Sequence, residues 1–116
     1  MLKVYGIKNC SSMKKAFDLL NKLGLAYEFH DYKKQGIDAD TVKVWLNDIG
    51  ADIVLNKKGT TWRKLSIEEQ QKALDSEEGL IAALTTHNSL IKRPVISAES
   101  DYVVGFNEDA IRALKK

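Results

Sequence analysis

The chain has a single cysteine, Cys10, in the run Lys8-Asn9-Cys10-Ser11-Ser12-Met13-Lys14-Lys15. A cysteine at a helix start beside cations takes its thiolate form more readily, and the thiolate is the nucleophile of thiol–disulfide exchange. Lys8, Lys14 and Lys15 supply nearby cations. A strand running directly into a helix would add free backbone amides. A lone cysteine is also commonly a buried, inert side chain, and both readings stand on position alone. Spacing narrows the chemistry. Met13 stands where a dithiol redox motif carries its second cysteine, and Ala16 stands where a phosphatase-type loop needs arginine. Any mixed disulfide formed on Cys10 would therefore have to be resolved by an external thiol.

Two other residues are candidates for binding. Arg63 follows Trp62 and Arg93 precedes Pro94, so each guanidinium has a rigid or turn-forming neighbour. Arginine pairs bidentately with carboxylates and oxyanions, although an arginine chosen at random is usually a solvated surface residue. His30 and His87 lack a second histidine or acid at ligand spacing, so no metal site is expected. With one cysteine, neither an internal disulfide nor a cysteine-based zinc site can form.

The elements that would position Cys10 follow from periodicity. Residues 2–7 alternate apolar and polar with β-branched and aromatic side chains, which predicts a strand ending at the turn 8–10. Met13, Ala16, Phe17, Leu19, Leu20 and Leu23 then recur at helical spacing, with Ser11 or Ser12 available as cap and Gly24 as stop. Residues 26–32 form a second extended run, with Tyr27, Phe29 and Asp31 on one face and Glu28 and His30 on the other. Strand, helix and strand make a βαβ unit whose strands should lie parallel.

Residues 37–87 read as a helical insertion. Val42, Val44, Trp45, Leu46 and Ile49 form an apolar stripe behind Asp38 and Asp40. Residues 55–63 read as a turn or binding loop. Ser66-Ile67-Glu68-Glu69 spells a capping box, and Ser76-Glu77-Glu78 opens a further helix. The β runs 95–97 and 102–104, separated by 98–101, predict a hairpin. Asn107-Glu108-Asp109 caps a last helix over 110–116 whose final Lys115 and Lys116 suit its dipole. The predicted order is βαβ, helices, ββα.

Composition agrees with that frame. At 116 residues and 13.0 kDa the chain has room for one domain, 1–116. Its 44% hydrophobic and 29% charged content excludes disorder and collagen-like repeats. A net charge of +2 is too small to signal direct nucleic-acid binding. No uncharged run is long enough for a membrane span, and the N-terminus lacks export features, so a cytoplasmic location is expected.

Several motifs become specific together: Tyr5-Gly6-Ile7 with Cys10 and Met13-Lys14-Lys15-Ala16, then Phe29-His30-Asp31-Tyr32, Gly59-Thr60-Thr61-Trp62-Arg63-Lys64-Leu65, Ile91-Lys92-Arg93-Pro94-Val95 and Val104-Gly105-Phe106. This series resembles the arsenate-reductase-like (ArsC/Spx) superfamily of thioredoxin-fold proteins, nearest to its YffB-type members, regarded as glutathione-dependent thiol reductases. The resemblance implies an α/β fold with a mixed four-stranded thioredoxin-like sheet and a cis Arg93-Pro94 bond. It implies that Cys10 is the nucleophile of a monothiol reductase. Lys8, Ser11, Ser12, Arg63, Arg93 and Pro94 would bind substrate and glutathione, which is a co-substrate and not a tightly bound cofactor. The partners implied are glutathione and an oxidised substrate, with the protein monomeric. Spx-type regulators, which bind RNA polymerase, are the alternative, but they commonly carry a two-cysteine switch that this chain lacks. Arsenate reduction is a weaker alternative, because arsenate reductases use a third arginine near the hairpin's end, where Val103-Val104-Gly105-Phe106 has none.

Overall fold

The computed structural model describes residues 2–99 and 101–115. The chain divides into two compact units, one made of the segments before Gly36 and after Lys92, the other Gly36–Lys92. The first unit contains β1 (Leu2–Gly6), α1 (Ser11–Lys22), β2 (Tyr27–Asp31), α2 (Tyr32–Gln35), β3 (Val95–Ser97), β4 (Tyr102–Val104) and α8 (Glu108–Ala113). Its sheet has the order β2-β1-β3-β4. β1 and β2 are parallel, with Val4 opposite Phe29; β1 and β3 are antiparallel, with Val4 opposite Ile96; β3 and β4 are antiparallel, with Ile96 opposite Val103. This is the expected mixed four-stranded thioredoxin-like sheet.

Alternation along the strands sends these in-register residues to one face. There Val4, Ile96 and Val103 form a core with Met13, Ala16 and Leu20 of α1 and Ile111 of α8. Phe17 stacks on Tyr27 and meets Phe29 edge-on, with ring centroids 5.3 and 5.1 Å apart. Tyr5 and His30, one residue along in each strand, face the other way with centroids 5.0 Å apart.

The joint between β1 and α1 is set by Gly6 and Met13. A Cβ on Gly6 would overlap the Met13 sulfur and lie 2.6 Å from its Cε, and Met13 is fully buried. With no side chain at Gly6, the first turn of α1 packs onto the end of β1 without displacing the Met13 thioether.

The second unit is helical: α3 (Ala39–Asp48), α4 (Ala51–Val54), α5 (Thr60–Lys64), α6 (Ile67–Asp75), α7 (Glu77–Thr86) and a 3-10 turn, Asn88–Leu90. It extends past the expected 37–87 to Lys92, because Ile91 bridges Leu55 and the Lys92 amide donates to the Val54 carbonyl at 2.9 Å. Side-chain caps start α3, α6 and α7, at Ser66 and Ser76 as anticipated and at Asp38, which the sequence reading gives only as an N-terminal anion. Asp38 accepts from the Thr41 amide at 2.9 Å, Ser66 and Glu69 exchange both capping-box bonds at 3.1 Å, and Ser76 accepts from the Gly79 amide at 3.0 Å. Gly79 is needed where the two helices meet, since a Cβ there would overlap the Lys72 carbonyl oxygen and lie 3.1 Å from its carbon. Among the described residues no helix is long and apolar enough to cross a membrane.

Four local readings are corrected. Neither Ser11 nor Ser12 caps α1: the helix begins at Ser11, so both serines lie inside its first turn and Cys10 takes the N-cap position. Val44 is 48% exposed, whereas Val42 and Trp45 are buried. At about 100° per residue Val44 lies on the opposite side of α3 from Val42. Within 55–63, Thr60 opens a short helix that buries Trp62. The last helix is shorter than read, with Asn107 capping the Ala110 amide at 3.1 Å and Leu114 closing it. Of the residues cited in those readings, Ser100 and Lys116 lie outside the described ones.

The two glycine contacts predict an order of stabilities. Gly79→Ala should lose about 2–3 kcal/mol, because backbone cannot yield, and Gly6→Ala about 1–2 kcal/mol, because a thioether can swing even in a packed core. Urea unfolding followed by circular dichroism measures both. Equal or unchanged midpoints would show that these contacts do not limit packing.

Candidate functional site

Cys10 sits just beyond the C-terminal end of β1, a strand flanked on both sides by others in its sheet. Its backbone is extended (φ −138°, ψ 131°) and its carbonyl accepts the first α1 bond, from the Lys14 amide at 3.0 Å. The Ser11, Ser12 and Met13 amides precede that bond and have no acceptor within the helix. The Cys10 side chain makes no capping bond and is half-buried. The thiol is thus held at the positive end of a 12-residue helix with no acidic residue in its first turn. Such a helix start attracts an incoming anionic group.

Of the other residues singled out, Lys8 and Ser11 are exposed around this joint and Ser12 is half-buried. Pro94 is buried, the Arg93-Pro94 bond is cis as expected, and the Pro94 carbonyl is taken by the Gly105 amide at 2.8 Å. Val95 pairs with Tyr5 in the antiparallel ladder, which brings Arg93 level with the turn that leads from β1 to Cys10. Arg93 is half-buried, and among the described residues neither its amide nor its carbonyl has a backbone partner. One end of the sheet therefore gathers Cys10, the free amides of α1, Lys8, Arg93 and Pro94. Arg63 is exposed on α5 and belongs to the helical unit.

The sequence reading assigned no role to Tyr32. It starts α2 at the same end of the sheet, because Gly6 pairs with Asp31. Its ring meets His30 edge-on at 6.0 Å, and its hydroxyl is buried without a hydrogen-bond partner among the described residues. Burial, reinforced by the Tyr5 phenol, pushes the Tyr32 hydroxyl well above the ordinary tyrosine range, against the opposing pull of the Arg93 guanidinium. A tyrosine closing an alternating strand run carries no mark of a special role, and a missing partner has no signature in sequence. A cavity of about 600 Å³ lies elsewhere, in the helical unit along α6 and α7, bordered by Ala73, Gly79 and His87. Its lining includes Lys72, Ser76 and His87 but not the chain's one cysteine.

Comparison with known proteins agrees with this arrangement. The pattern of the ArsC family matches residues 5–114. An uncharacterized protein of Haemophilus influenzae is 37% identical over 113 residues, covering 97% of each chain. The global transcriptional regulator Spx of Streptococcus agalactiae is 26% identical over 115 residues, covering 97% of this chain and 82% of its own. Among solved structures, the YFFB protein is 40% identical and superposes with a TM-score of 0.92 over 100% of both chains. With a match running from β1 into the last helix, and a thioredoxin-like sheet that presents one cysteine at a helix start, this chain belongs to the ArsC family.

Proposed function

We propose that this protein is a monothiol reductase in which Cys10 attacks a substrate disulfide and glutathione resolves the product. The observation that carries this reading is the placement of the chain's one thiol, half-buried and uncapped, at the amide-rich start of α1. In the first step the Cys10 thiolate bonds to one substrate sulfur and the other leaves as a thiolate. A glutathione thiolate then attacks Cys10 Sγ and expels the remaining substrate thiol. A second glutathione attacks the glutathionyl sulfur, releasing oxidised glutathione and restoring the Cys10 thiolate. Two glutathiones thus supply the two electrons. An external thiol is required because Met13, fully buried, occupies the position from which a second cysteine would act.

Glutathione carries two carboxylates and an extended backbone. Arg93, half-buried, is suited to pair with a carboxylate, and its unpaired amide and carbonyl can take a strand partner beside Pro94. Lys8, Ser11 and Ser12 are assigned to the rim around the thiol, with Ser12 the less exposed serine. The part given to Arg63 rests on the resemblance of its motif to the family. A cytoplasmic, glutathione-rich setting suits this chemistry.

A second reading draws on the similarity to Spx over 97% of this chain. In it the fold serves as a regulator that binds RNA polymerase, and Cys10 need not turn over. The two readings part on the thiol, because reduction requires it and docking does not.

Reduction of hydroxyethyl disulfide by glutathione should fall at least about 100-fold in Cys10→Ser. A variant that keeps its rate would refute the enzymatic reading. A complex with purified RNA polymerase that survives Cys10→Ser would favour the regulator instead. Arsenate can be tried as oxidant in the same assay and should not be reduced, given the missing third arginine.

Binding is separable from turnover. In a chemical-shift titration of Cys10→Ser with reduced glutathione, amide shifts should centre on residues 8–12 and 93–94. Arg93→Ala should weaken binding about ten-fold, in line with loss of one charge-assisted pair. Arg63→Ala tests the remaining assignment in the same way. Shifts that are absent, or that cluster elsewhere, would remove glutathione as the resolving thiol.

A further inference from the structure

At this end of the sheet the mechanism above leaves Tyr32 unused, as it does its strand neighbours His30 and Asp31, whose carboxylate already accepts the Lys33 amide at 3.0 Å. Tyr32 is 2% exposed, and its hydroxyl has no hydrogen-bond partner among the described residues. A buried hydroxyl without a partner is destabilising, and a phenylalanine would fill the same space without that cost. The group therefore has value in a state other than the ligand-free one.

Three observations point to its partner. Burial keeps the phenol neutral far above neutral pH, so it is an O–H donor in want of an acceptor. Arg93 is the cation whose field acts on it. The strand register supports this independently, because Asp31 lies beside Gly6 and Val95 beside Tyr5, so Tyr32 and Arg93 flank the segment that leads from β1 to Cys10. A neutral donor on one side of that segment and a guanidinium on the other offer a carboxylate a partner for a lone pair and one for its charge.

We propose that Tyr32 is a substrate-binding residue, its hydroxyl donating to the same carboxylate of the thiol co-substrate that the Arg93 guanidinium pairs with. The assignment rests on the glutathione-dependent reading above. Since the hydroxyl is sealed without ligand, the carboxylate reaches it by displacing side chains at the site, and the two then close on one group.

The test is a titration of reduced glutathione into the full chain as wild type, Tyr32→Phe, Arg93→Ala and the double variant, with thermal unfolding of each in the absence of glutathione. Tyr32→Phe should bind about five- to ten-fold more weakly, in the range of a hydrogen bond to a charged group, while its unfolding midpoint stays level or rises. In the Arg93→Ala background the further loss from Tyr32→Phe should shrink below about two-fold, because the carboxylate is no longer held there. Wild-type affinity in Tyr32→Phe overturns the proposal. So does a lowered unfolding midpoint, which would give the hydroxyl a structural partner, and so does a loss that is undiminished without Arg93. A wild type that does not bind glutathione overturns the functional reading and this assignment with it, an outcome distinct from a wild type that binds and a variant that binds equally well.

Discussion

The contact between Met13 and Gly6 is the constraint on which the site depends. A fully buried thioether lying over a residue with no side chain lets α1 start immediately after β1 with only a short turn between. Cys10 takes the N-cap of that helix, and Ser11 and Ser12 fall within its first turn. The contact also joins two requirements that could have been separate. Met13 belongs to the core with Val4, Ile96 and Ile111, so the same side chain that anchors the helix holds its amide-bearing end against the sheet. A site built on a packed strand–helix joint is held more firmly than one built on a loop.

The charges around the thiol differ in weight. Lys8, Lys14 and Lys15 are exposed, and solvent and salt screen what they contribute. The α1 amides and the half-buried Arg93 lie closer to the protein dielectric, where a fixed dipole or charge acts more strongly. An anion at this end of the sheet would therefore feel Arg93 and the helix end more strongly than the lysines, which mainly favour its approach. The helical unit obeys a different logic. Its helices are short, so caps such as the Ser66–Glu69 pair and the Ser76 hydroxyl count for much of what starts them.

How much of this was legible in the sequence depended on how far each interaction reaches along the chain. The alternation of residues 2–7, the helical spacing from Met13 to Leu23 and the caps at Ser66, Ser76 and Asn107 were all readable, because each closes within a turn or a few strand residues. The cysteine at a strand-to-helix joint was readable for the same reason. The cis Arg93-Pro94 bond came from resemblance, since no local pattern announces it. Tertiary packing alone decided the rest. Val44 lies in an apolar run yet on the outer side of α3, and only the direction in which that helix packs exposes it. That neither serine caps α1 was decided by where the helix starts, at Ser11 with Cys10 as its N-cap. That Tyr32 and Arg93 flank the segment from β1 to Cys10 depends on the register of three strands, and a hydroxyl buried without a partner among the described residues is defined by surroundings that no stretch of sequence contains.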